Sequence, residues 1–390
     1  MDCNTINDVY CMVVREYTYL AQYAYKHINQ LLWNISASHV FHSRHCIIIQ
    51  LYECRLHNTG CSDIFNYFCN NKHNDGGLFV ERLKQTVETM ISVIIPLFNK
   101  AETIRNTIES VLRQTYSDFE IVIVDDGSTD RSIDIVKSIS DLRIRIYSQS
   151  NAGVSAARNI GIENSRGEFV AFLDADDEWK TDYLKSQIRL TEKYPQCDVF
   201  ASRYETCTNN GQISPAVINK LLFQGNDGIV DNYFQVASCS EPPLFTSAVM
   251  VRRSAILEVG GFPHGIKSGE DLLTWARLAA RFKIAYSTTP MVSFTIEGYN
   301  VTSKPKRSND DDDFVGRELV VLRDNYHPQY INQYISHWHK MRSSVFMRQT
   351  QREKSINEAF KGLKYNPLNY KLYIYIAINL LPKKLQPFRK

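Results

Sequence analysis

Between residues 90 and 173 the chain alternates short apolar runs with amphipathic segments. The apolar runs are rich in β-branched residues, which is typical of buried strands. They are Ile91–Ile95, Glu120–Val124, Arg143–Tyr147 and Glu168–Leu173. The intervening segments have apolar residues at helical spacing, such as Ile104, Ile108, Val111 and Leu112, or are rich in small residues, as in Gly153–Asn164. This alternation predicts βαβ units and an α/β fold with a mostly parallel sheet flanked by helices.

Polar residues follow three of these predicted strands. Asn99 comes after the first strand, Asp126 after the second, and Asp174–Asp177 after the fourth. The carboxyl ends of parallel strands share one edge of a sheet, where ligands of such folds bind. Three carboxylates within four positions are costly there unless a cation compensates them, and a divalent ion with oxygen ligands suits them. In an extended segment Asp174 and Asp176 would point the same way, so we expect both to converge on one ion.

Beyond Thr181 the alternation weakens. Short helices are predicted at Ser254–Val259 and from Asp271, and the chain is mainly helical beyond Tyr330. The acidic run between residues 308 and 313 is expected to be a solvated linker. We therefore divide the chain into residues 1–89, a principal domain at 90–300, and a linker with a helical C-terminal region at 301–390.

The first 89 residues differ in composition from the rest. They hold six of the nine cysteines and six of the ten histidines, yet no C-x-x-C pair, so the spacing favours neither a zinc module nor a disulfide framework. Met90 stands directly before the first strand, and we expect it to be the functional start of the protein. A helical spacing of apolar residues between positions 17 and 32 argues for the alternative, that the extension is real and folded.

Charge and hydropathy limit the possible partners. The net charge of +3 is too small to indicate nucleic acid binding, and without an 18-residue apolar run or a signal peptide we expect a cytoplasmic protein. The apolar segment Leu372–Ile378 is too short to span a bilayer. Lysines and arginines flank it, so it is either a buried packing helix with a basic tail or a helix that rests on an anionic membrane surface.

Several motifs occur in a fixed order across residues 90–300. They are Val93–Lys100 (VIIPLFNK), Leu112–Tyr116 (LRQTY), Val124–Asp130 (VDDGSTD), Asn151–Asn159 (NAGVSAARN), Leu173–Asp177 (LDADD) and Gly269–Asp271 (GED). With these motifs the chain resembles the inverting nucleotide-sugar glycosyltransferases of family 2, which have the GT-A fold, a Rossmann-like nucleotide-binding sheet. Residues 1–89 match nothing in this pattern, and residues 301–390 resemble only the variable tails of such enzymes.

The resemblance implies a donor site built from the first two motif-bearing strands. Pro96 and Phe98 would seat the nucleotide base, and Asp126 would accept a hydrogen bond from the uracil imide. Asp125 is interpreted as a turn-forming residue.

The resemblance also implies how the diphosphate is held. Arg158 would pair with the diphosphate, unless it forms a surface ion pair on an exposed helix. Asp174 would contact the ribose and the metal, and Asp176 would be the direct ligand of Mg²⁺ or Mn²⁺.

The implied reaction moves a sugar, typically a hexose from a UDP-hexose donor, to an acceptor hydroxyl with inversion, in the synthesis of cell-surface polysaccharide or lipid-linked glycan. The hydroxyl must lose its proton as it attacks, so a carboxylate base is needed. By position we choose Asp271, with Glu270 next, although acidic residues also favour helix N-termini for structural reasons. A noncatalytic sugar-nucleotide binder remains an alternative. A nucleotidyltransferase is a weaker one, because Asn99-Lys100 is not a glycine-rich phosphate loop.

Overall fold

The computed structural model describes residues 90–208, 211–266, 268–296 and 312–381, and all structural statements concern these residues. The predictions for residues 1–89 lie outside this part of the chain. The domain boundaries drawn from the sequence therefore stay predictions.

The described residues form a mixed sheet of ten strands in the order β3-β2-β1-β4-β9-β6-β10-β5, with β7 paired to β6 and β8 to β10. The strands are β1 (Ile91–Leu97), β2 (Phe119–Asp125), β3 (Ile144–Ser148), β4 (Phe169–Phe172), β5 (Asp177–Trp179), β6 (Val199–Thr208), β7 (Ile213–Pro215), β8 (Asp227–Ile229), β9 (Val249–Arg252) and β10 (Ile284–Ile296). Each antiparallel pairing spans three residue pairs, whereas the parallel pairings span four to ten. The predicted α/β fold with a mostly parallel sheet is confirmed.

Helices cover the sheet and build the C-terminal region. They are α1 (Ile104–Leu112), α2 (Ser132–Lys137), α3 (Val154–Asn164), α4 (Tyr183–Lys193), α5 (Tyr233–Cys239), α6 (Arg253–Glu258), α7 (Glu270–Ala279), α8 (Phe314–Tyr326), α9 (Ile331–Arg348), α10 (Arg352–Tyr365) and α11 (Tyr370–Leu380), with a 3₁₀ turn at Thr246–Ala248. Each helix predicted from the spacing of apolar residues beyond Met90 is present.

The core consists of two layers on opposite faces of the sheet. All seven residues of β1 are buried, and neighbouring side chains alternate between the layers as the pleat requires. Ile94 faces the layer that contains α3, whereas Val93 and Ile95 face the layer that contains α1. Gly161 lets α3 lie directly on β1, since a Cβ there would come within 2.3 Å of the Ile94 side chain.

The register of the parallel strands aligns their carboxyl ends. Leu97 of β1 lies opposite Asp125 of β2, and Asp125 lies opposite Ser148 of β3. The polar residues that follow β1, β2 and β4 therefore emerge along one edge of the sheet. The core layers on both faces of the sheet hold this edge in place.

The C-terminal helices are joined by a buried network of charged side chains. Glu358 on α10 accepts hydrogen bonds from His339 Nδ1 (2.8 Å) and Arg342 Nε (3.1 Å) of α9. Asp313 caps α8 by accepting from the Gly316 N–H (3.1 Å), and it lies 3.6 Å from Arg342 Nε. Asp313 is therefore not part of a solvated linker, and the sequence interpretation of this position is wrong. An isolated acidic run gives no sign that its last member caps a helix inside the core.

Glu358 should make the stability of the protein depend on pH. Burial alone would raise the pKa of Glu358, but hydrogen bonds from His339 and Lys361 and the charge of Arg342 lower it to about 2. The gap from the ordinary value of 4.5 corresponds to about 3 kcal/mol of stability. This contribution is present above pH 4.5 and is lost as the pH falls toward 2. We expect Glu358→Gln to lower the free energy of unfolding by about 3 kcal/mol at neutral pH and by progressively less below pH 4.5.

Urea denaturation of both proteins across this pH range measures the difference. Glu353→Gln, on the exposed side of the same helix, is the matched control and should change stability by less than about 0.5 kcal/mol. A deficit of Glu358→Gln that stays constant with pH would contradict the assignment.

Candidate active site

The loop after β4 is a turn. The Asp177 N–H donates to the Asp174 carbonyl oxygen at 3.0 Å, which closes the segment on itself. The extended geometry expected for Asp174 and Asp176 is therefore wrong. In this structure the two carboxylates pair with different cations, Asp174 with Arg158 Nη2 (2.7 Å) and Asp176 with Lys100 Nζ (2.5 Å).

Arg158 lies among acidic side chains at the edge of the sheet. Its side chain is 4% exposed, so the alternative of a surface ion pair on an exposed helix is wrong. Besides the contact with Asp174, its Nη1 lies 3.8 Å from Glu270 Oε1, and the guanidinium stacks over the Phe262 ring at 5.1 Å. Burial by itself lowers the pKa of Arg158, but the negative charges of Asp174 and of the two acids at the start of α7 outweigh it and raise the pKa. Within the described residues, Nε and Nη1 have no hydrogen-bond partner.

Glu270 and Asp271 are the first two residues of α7. Gly269 precedes them in the left-handed conformation (φ +90°), and no side chain of the described residues caps this helix. Neither acid is therefore the N-cap, although the Leu272 N–H donates to Asp271 Oδ1 at 2.7 Å within the first turn. Burial raises the pKa of both carboxyls, and the charge of Arg158 opposes that rise. The negative charges of Glu270, Asp271 and Asp174 thus all interact with the guanidinium of Arg158.

Asp126 connects the end of β2 with the start of α3. Its buried carboxylate accepts hydrogen bonds from the Ala152 N–H (2.8 Å), the Gly153 N–H (2.9 Å) and Gln149 Nε2 (2.6 Å). The amides at the start of α3 are therefore partly used by the protein itself. Because Arg158 lies one turn further along α3, Asp126 fixes the helix that carries the guanidinium.

The segment after β1 is held by hydrogen bonds to the turn after β2. Asn99 adopts a positive φ of 51°, and its Oδ1 accepts from the Thr129 N–H at 2.8 Å. Asp125 accepts from the Ser128 N–H (3.1 Å), which is the turn-forming role predicted for it. Pro96 is buried, whereas Phe98 is 44% exposed beside this turn. An exposed aromatic ring at the strand-end edge is available to contact a ligand.

The sequence model of Glycosyl transferase family 2 matches residues 92–259. Residues 92–259 are a family 2 glycosyltransferase domain. This domain carries Asp126, Arg158, Asp174 and Asp176, and the Glu270–Asp271 pair follows it directly.

Curated relatives match the same part of the chain. An uncharacterized glycosyltransferase of Rickettsia felis is 34% identical over 200 residues, which are 50% of this chain and 31% of that protein. Glycosyltransferase GlyA of Streptococcus pneumoniae serotype 4 is 32% identical over 191 residues, or 47% of this chain and 27% of GlyA. The chain thus spans about a third of the length of these relatives. TuaG of Bacillus subtilis, a putative teichuronic acid biosynthesis glycosyltransferase, is 29% identical over 60% of this chain and 89% of its own length.

Solved structures share the fold. S. aureus TarS 1–349 in complex with UDP-GlcNAc superimposes with a TM-score of 0.57 at 21% sequence identity, covering 74% of this chain and 84% of TarS 1–349. The same TarS segment in complex with UDP gives a TM-score of 0.54. The GT-A fold inferred from the motifs is confirmed.

Ser247 supports the acidic turn of the glycosyltransferase domain and was missed from the sequence. Its Oγ accepts from the Asp174 N–H (3.1 Å) and donates to Asp177, and its carbonyl accepts from Trp179 Nε1 (2.6 Å). Burial and the charge of Asp174 raise the pKa of Asp177 well above its ordinary value. Ser247 lies in a short 3₁₀ turn outside any motif, so no sequence signal marked it.

A second acidic group lies among the C-terminal helices, beyond the family 2 match. Asp313, His339 and Glu358 have potential ligand atoms within 4.8 Å of one another, an arrangement that could hold a metal ion. The same carboxylates already contact Arg342, and Lys361 Nζ donates to Glu358 at 2.9 Å. The charges of Arg342 and Lys361 thus already compensate the carboxylates that a metal ion would bind. The group links α9 to α10 by ion pairs.

Proposed function

We propose that this protein is an inverting glycosyltransferase that moves a hexosyl group from a UDP-sugar to an acceptor hydroxyl in the synthesis of cell-surface polysaccharide or lipid-linked glycan. The observation that carries the proposal is that Arg158 contacts Asp174 at 2.7 Å and Glu270 at 3.8 Å, so its guanidinium joins the β4 turn to the start of α7. Membership of residues 92–259 in family 2 and the similarity to TuaG support the transfer chemistry and the class of product.

The donor base would lie at the ends of β1 and β2. Phe98 offers an exposed ring, and Pro96 is buried near the end of β1. Asp126 already accepts three hydrogen bonds, and a carboxylate has about four acceptor positions, so it retains room for the uracil imide N–H. The TarS complexes with UDP-GlcNAc and UDP support a uridine nucleotide as donor.

Arg158 would act on the diphosphate. Its Nε and Nη1 have no hydrogen-bond partner in the part of the chain that the structure describes, and its charge lies next to Asp174. A buried guanidinium is a strong donor to phosphate oxygens and favours the charge that develops on the leaving group. The same charge opposes the rise that burial causes in the pKa of Glu270 and Asp271, and so favours the carboxylate form that removes a proton.

Asp174 and Asp176 would hold Mg²⁺ or Mn²⁺. Both present carboxylate oxygens at the end of β4, with side chains 32% and 39% exposed, which suits a hard cation that retains water ligands. Lys100 Nζ now neutralises Asp176, so a positive charge is already favoured at this point. A divalent ion bound there supplies additional positive charge to the departing diphosphate.

Asp271 is the proposed base, with Glu270 as the second candidate. Burial raises the pKa of Asp271, which makes its carboxylate a better proton acceptor than an exposed aspartate. Inversion requires the acceptor hydroxyl to attack from the side opposite the leaving group. The acids on α7 lie on an element separate from the β4 turn, and the proposal assigns to them the side of the sugar opposite the diphosphate.

A noncatalytic sugar-nucleotide binder is the main competing function. Such a protein needs the nucleotide pocket but has no use for a partly buried acid pair beside Arg158. A nucleotidyltransferase is disfavoured because Asn99 and Lys100 after β1 are tied to the β2 turn and to Asp176 rather than forming a phosphate loop.

The C-terminal helix α11 is proposed to rest on the anionic lipid surface at the inner face of the cell membrane. Within the described residues, no helix is both long and apolar enough to cross a bilayer. α11 buries Leu372 yet exposes an apolar stripe at helical spacing. The alternative of a buried packing helix with a basic tail is the other outcome of the flotation test. The stripe consists of Tyr370, Tyr373, Ile374, Ala377 and Leu380. Residues 359–390 contain seven lysines and arginines and no acidic residue, which complements anionic headgroups around an apolar contact.

Asp271→Asn should abolish most transfer while the protein stays folded. Loss of a general base costs about 100-fold or more in turnover, whereas Glu270→Gln should cost less than about tenfold. The measurement is nucleoside diphosphate release from UDP-, GDP- and TDP-sugars with Mn²⁺ and a panel of soluble and lipid-linked saccharide acceptors. A binder would show affinity for a sugar nucleotide without release from the native protein, and the reverse order of the two variants would move the base to Glu270.

Substitutions at Asp176 and Lys100 should change Mn²⁺ affinity in opposite directions. Asp176→Asn removes a ligand and should weaken binding, whereas Lys100→Met removes a competing cation and should strengthen it, each by about tenfold. Electron paramagnetic resonance of free Mn²⁺ titrated with protein gives both dissociation constants. Lys193→Met, which breaks an exposed ion pair with Asp227, is the control and should leave Mn²⁺ affinity unchanged. Weaker binding by Lys100→Met would argue against a metal at this turn.

Flotation with liposomes tests the membrane contact. The native protein should float with phosphatidylglycerol vesicles but not with phosphatidylcholine vesicles, and less at high salt. Tyr373→Ser combined with Ile374→Ser should lose flotation, whereas Leu142→Ser, at an exposed leucine of the glycosyltransferase domain, should not. Equal flotation of the double variant and the native protein would remove α11 from the contact. Self-association without flotation would indicate a second copy of the chain instead.

A further inference from the structure

The C-terminal helix α9 touches the turn that carries the two acids of α7. A Cβ on Gly269 would lie 2.7 Å from Cη2 and 2.8 Å from Cζ3 of the Trp338 ring. The indole therefore covers the backbone of Gly269. A Cβ there would also lie 3.5 Å from Cγ2 of Val315 in α8. Only glycine fits beneath the ring, and its positive φ of 90° adds a second reason for glycine.

Trp338 is itself held in place by a hydrogen bond. It is buried, and its Nε1 donates to Asp313 Oδ1 at 2.8 Å. Asp313 is fixed by the Gly316 N–H at the start of α8 and by its proximity to Arg342 (3.6 Å). The ring thus cannot shift without disturbing the buried ionic network that joins α8, α9 and α10.

A second side chain on the same face of α9 lies close to the acids. Tyr334 precedes Trp338 by one helical turn and is buried against Phe234, with ring centroids 5.4 Å apart. Burial raises the pKa of the Tyr334 phenol, and the negative charge of Asp271 raises it further. Two consecutive turns of α9 therefore border the segment from Gly269 to Asp271.

We infer that Trp338 is a positioning residue for the Gly269–Glu270–Asp271 turn, and that the C-terminal helices are part of the active-site framework of this enzyme. The role in turnover rests on the proposed function, because it assumes that an acid of α7 removes the acceptor proton. The effect of Trp338 on the order of the turn does not rest on the proposed function, because removal of the indole should loosen the turn whether or not the protein transfers sugar. The two parts can be measured separately.

The effect on the order of the turn is measured by hydrogen exchange. The Leu273 N–H bonds to the Gly269 carbonyl at 3.0 Å and reports on the start of α7. In Trp338→Ala this amide should exchange about tenfold faster or more. Phe346→Ala removes a buried ring from the same helix, one that stacks with Arg342 rather than Gly269, and should leave the Leu273 amide unchanged. Unchanged exchange in Trp338→Ala, or equal acceleration in both variants, overturns the inference.

The catalytic part is measured by kinetics below the melting temperature of all variants. Displacement of a base by about 1 Å costs about 100-fold, so Trp338→Ala should lower kcat by about that factor with the donor KM within about threefold. Trp338→Phe keeps a ring over Gly269 but loses the bond to Asp313, and it should recover most of kcat. Phe346→Ala should stay near the native rate. If the native protein transfers no sugar from any donor, the proposed function fails while the exchange result still decides the inference.

Discussion

The site depends on the attraction between one buried guanidinium and the carboxylates around it. Arg158 holds Asp174 by a hydrogen bond of 2.7 Å and Glu270 at 3.8 Å, in surroundings that exclude most water. A buried cation is costly without such partners, and clustered carboxylates are equally costly without a cation. Each side therefore requires the other, and removing one would leave an uncompensated charge inside the protein. Charge balance brings together segments more than 100 residues apart in the sequence.

Helix α3 links this constraint to the proposed nucleotide site at the ends of β1 and β2. Asp126 binds the amides at its start, Arg158 projects from its second turn, and Gly161 permits its close contact with Ile94 of the central strand. Displacement of α3 would therefore disturb the nucleotide pocket and the acid cluster together. Rigid elements that carry several functional groups preserve their spacing better than loops do.

The sequence was sufficient to predict the elements that depend on the local pattern of apolar and polar residues. Apolar periodicity located the strands and helices from Ile91 onward, and their order placed Asp126 and Asp174 at one edge of the sheet. The turn geometry of Asp174–Asp177 could not be derived, because an apolar strand does not reveal where its extended backbone ends. Asp313, Ser247 and Trp338 were missed for a related reason: their importance lies in contacts across long sequence separations, which no spacing rule encodes.

The contact between Trp338 and Gly269 bears on the order in which the chain is made. Residues 92–259 are synthesised before α7 and α9, and they contain Arg158 and the three aspartates of the β4 turn. The indole that covers Gly269 is synthesised almost 80 residues later, after the acids of α7. Under the proposed function, a nascent chain therefore contains the residues of the donor site before it contains the indole that positions the proposed base. Synthesis of α9, rather than folding of the central sheet, is then the step that would make a newly made molecule competent for transfer.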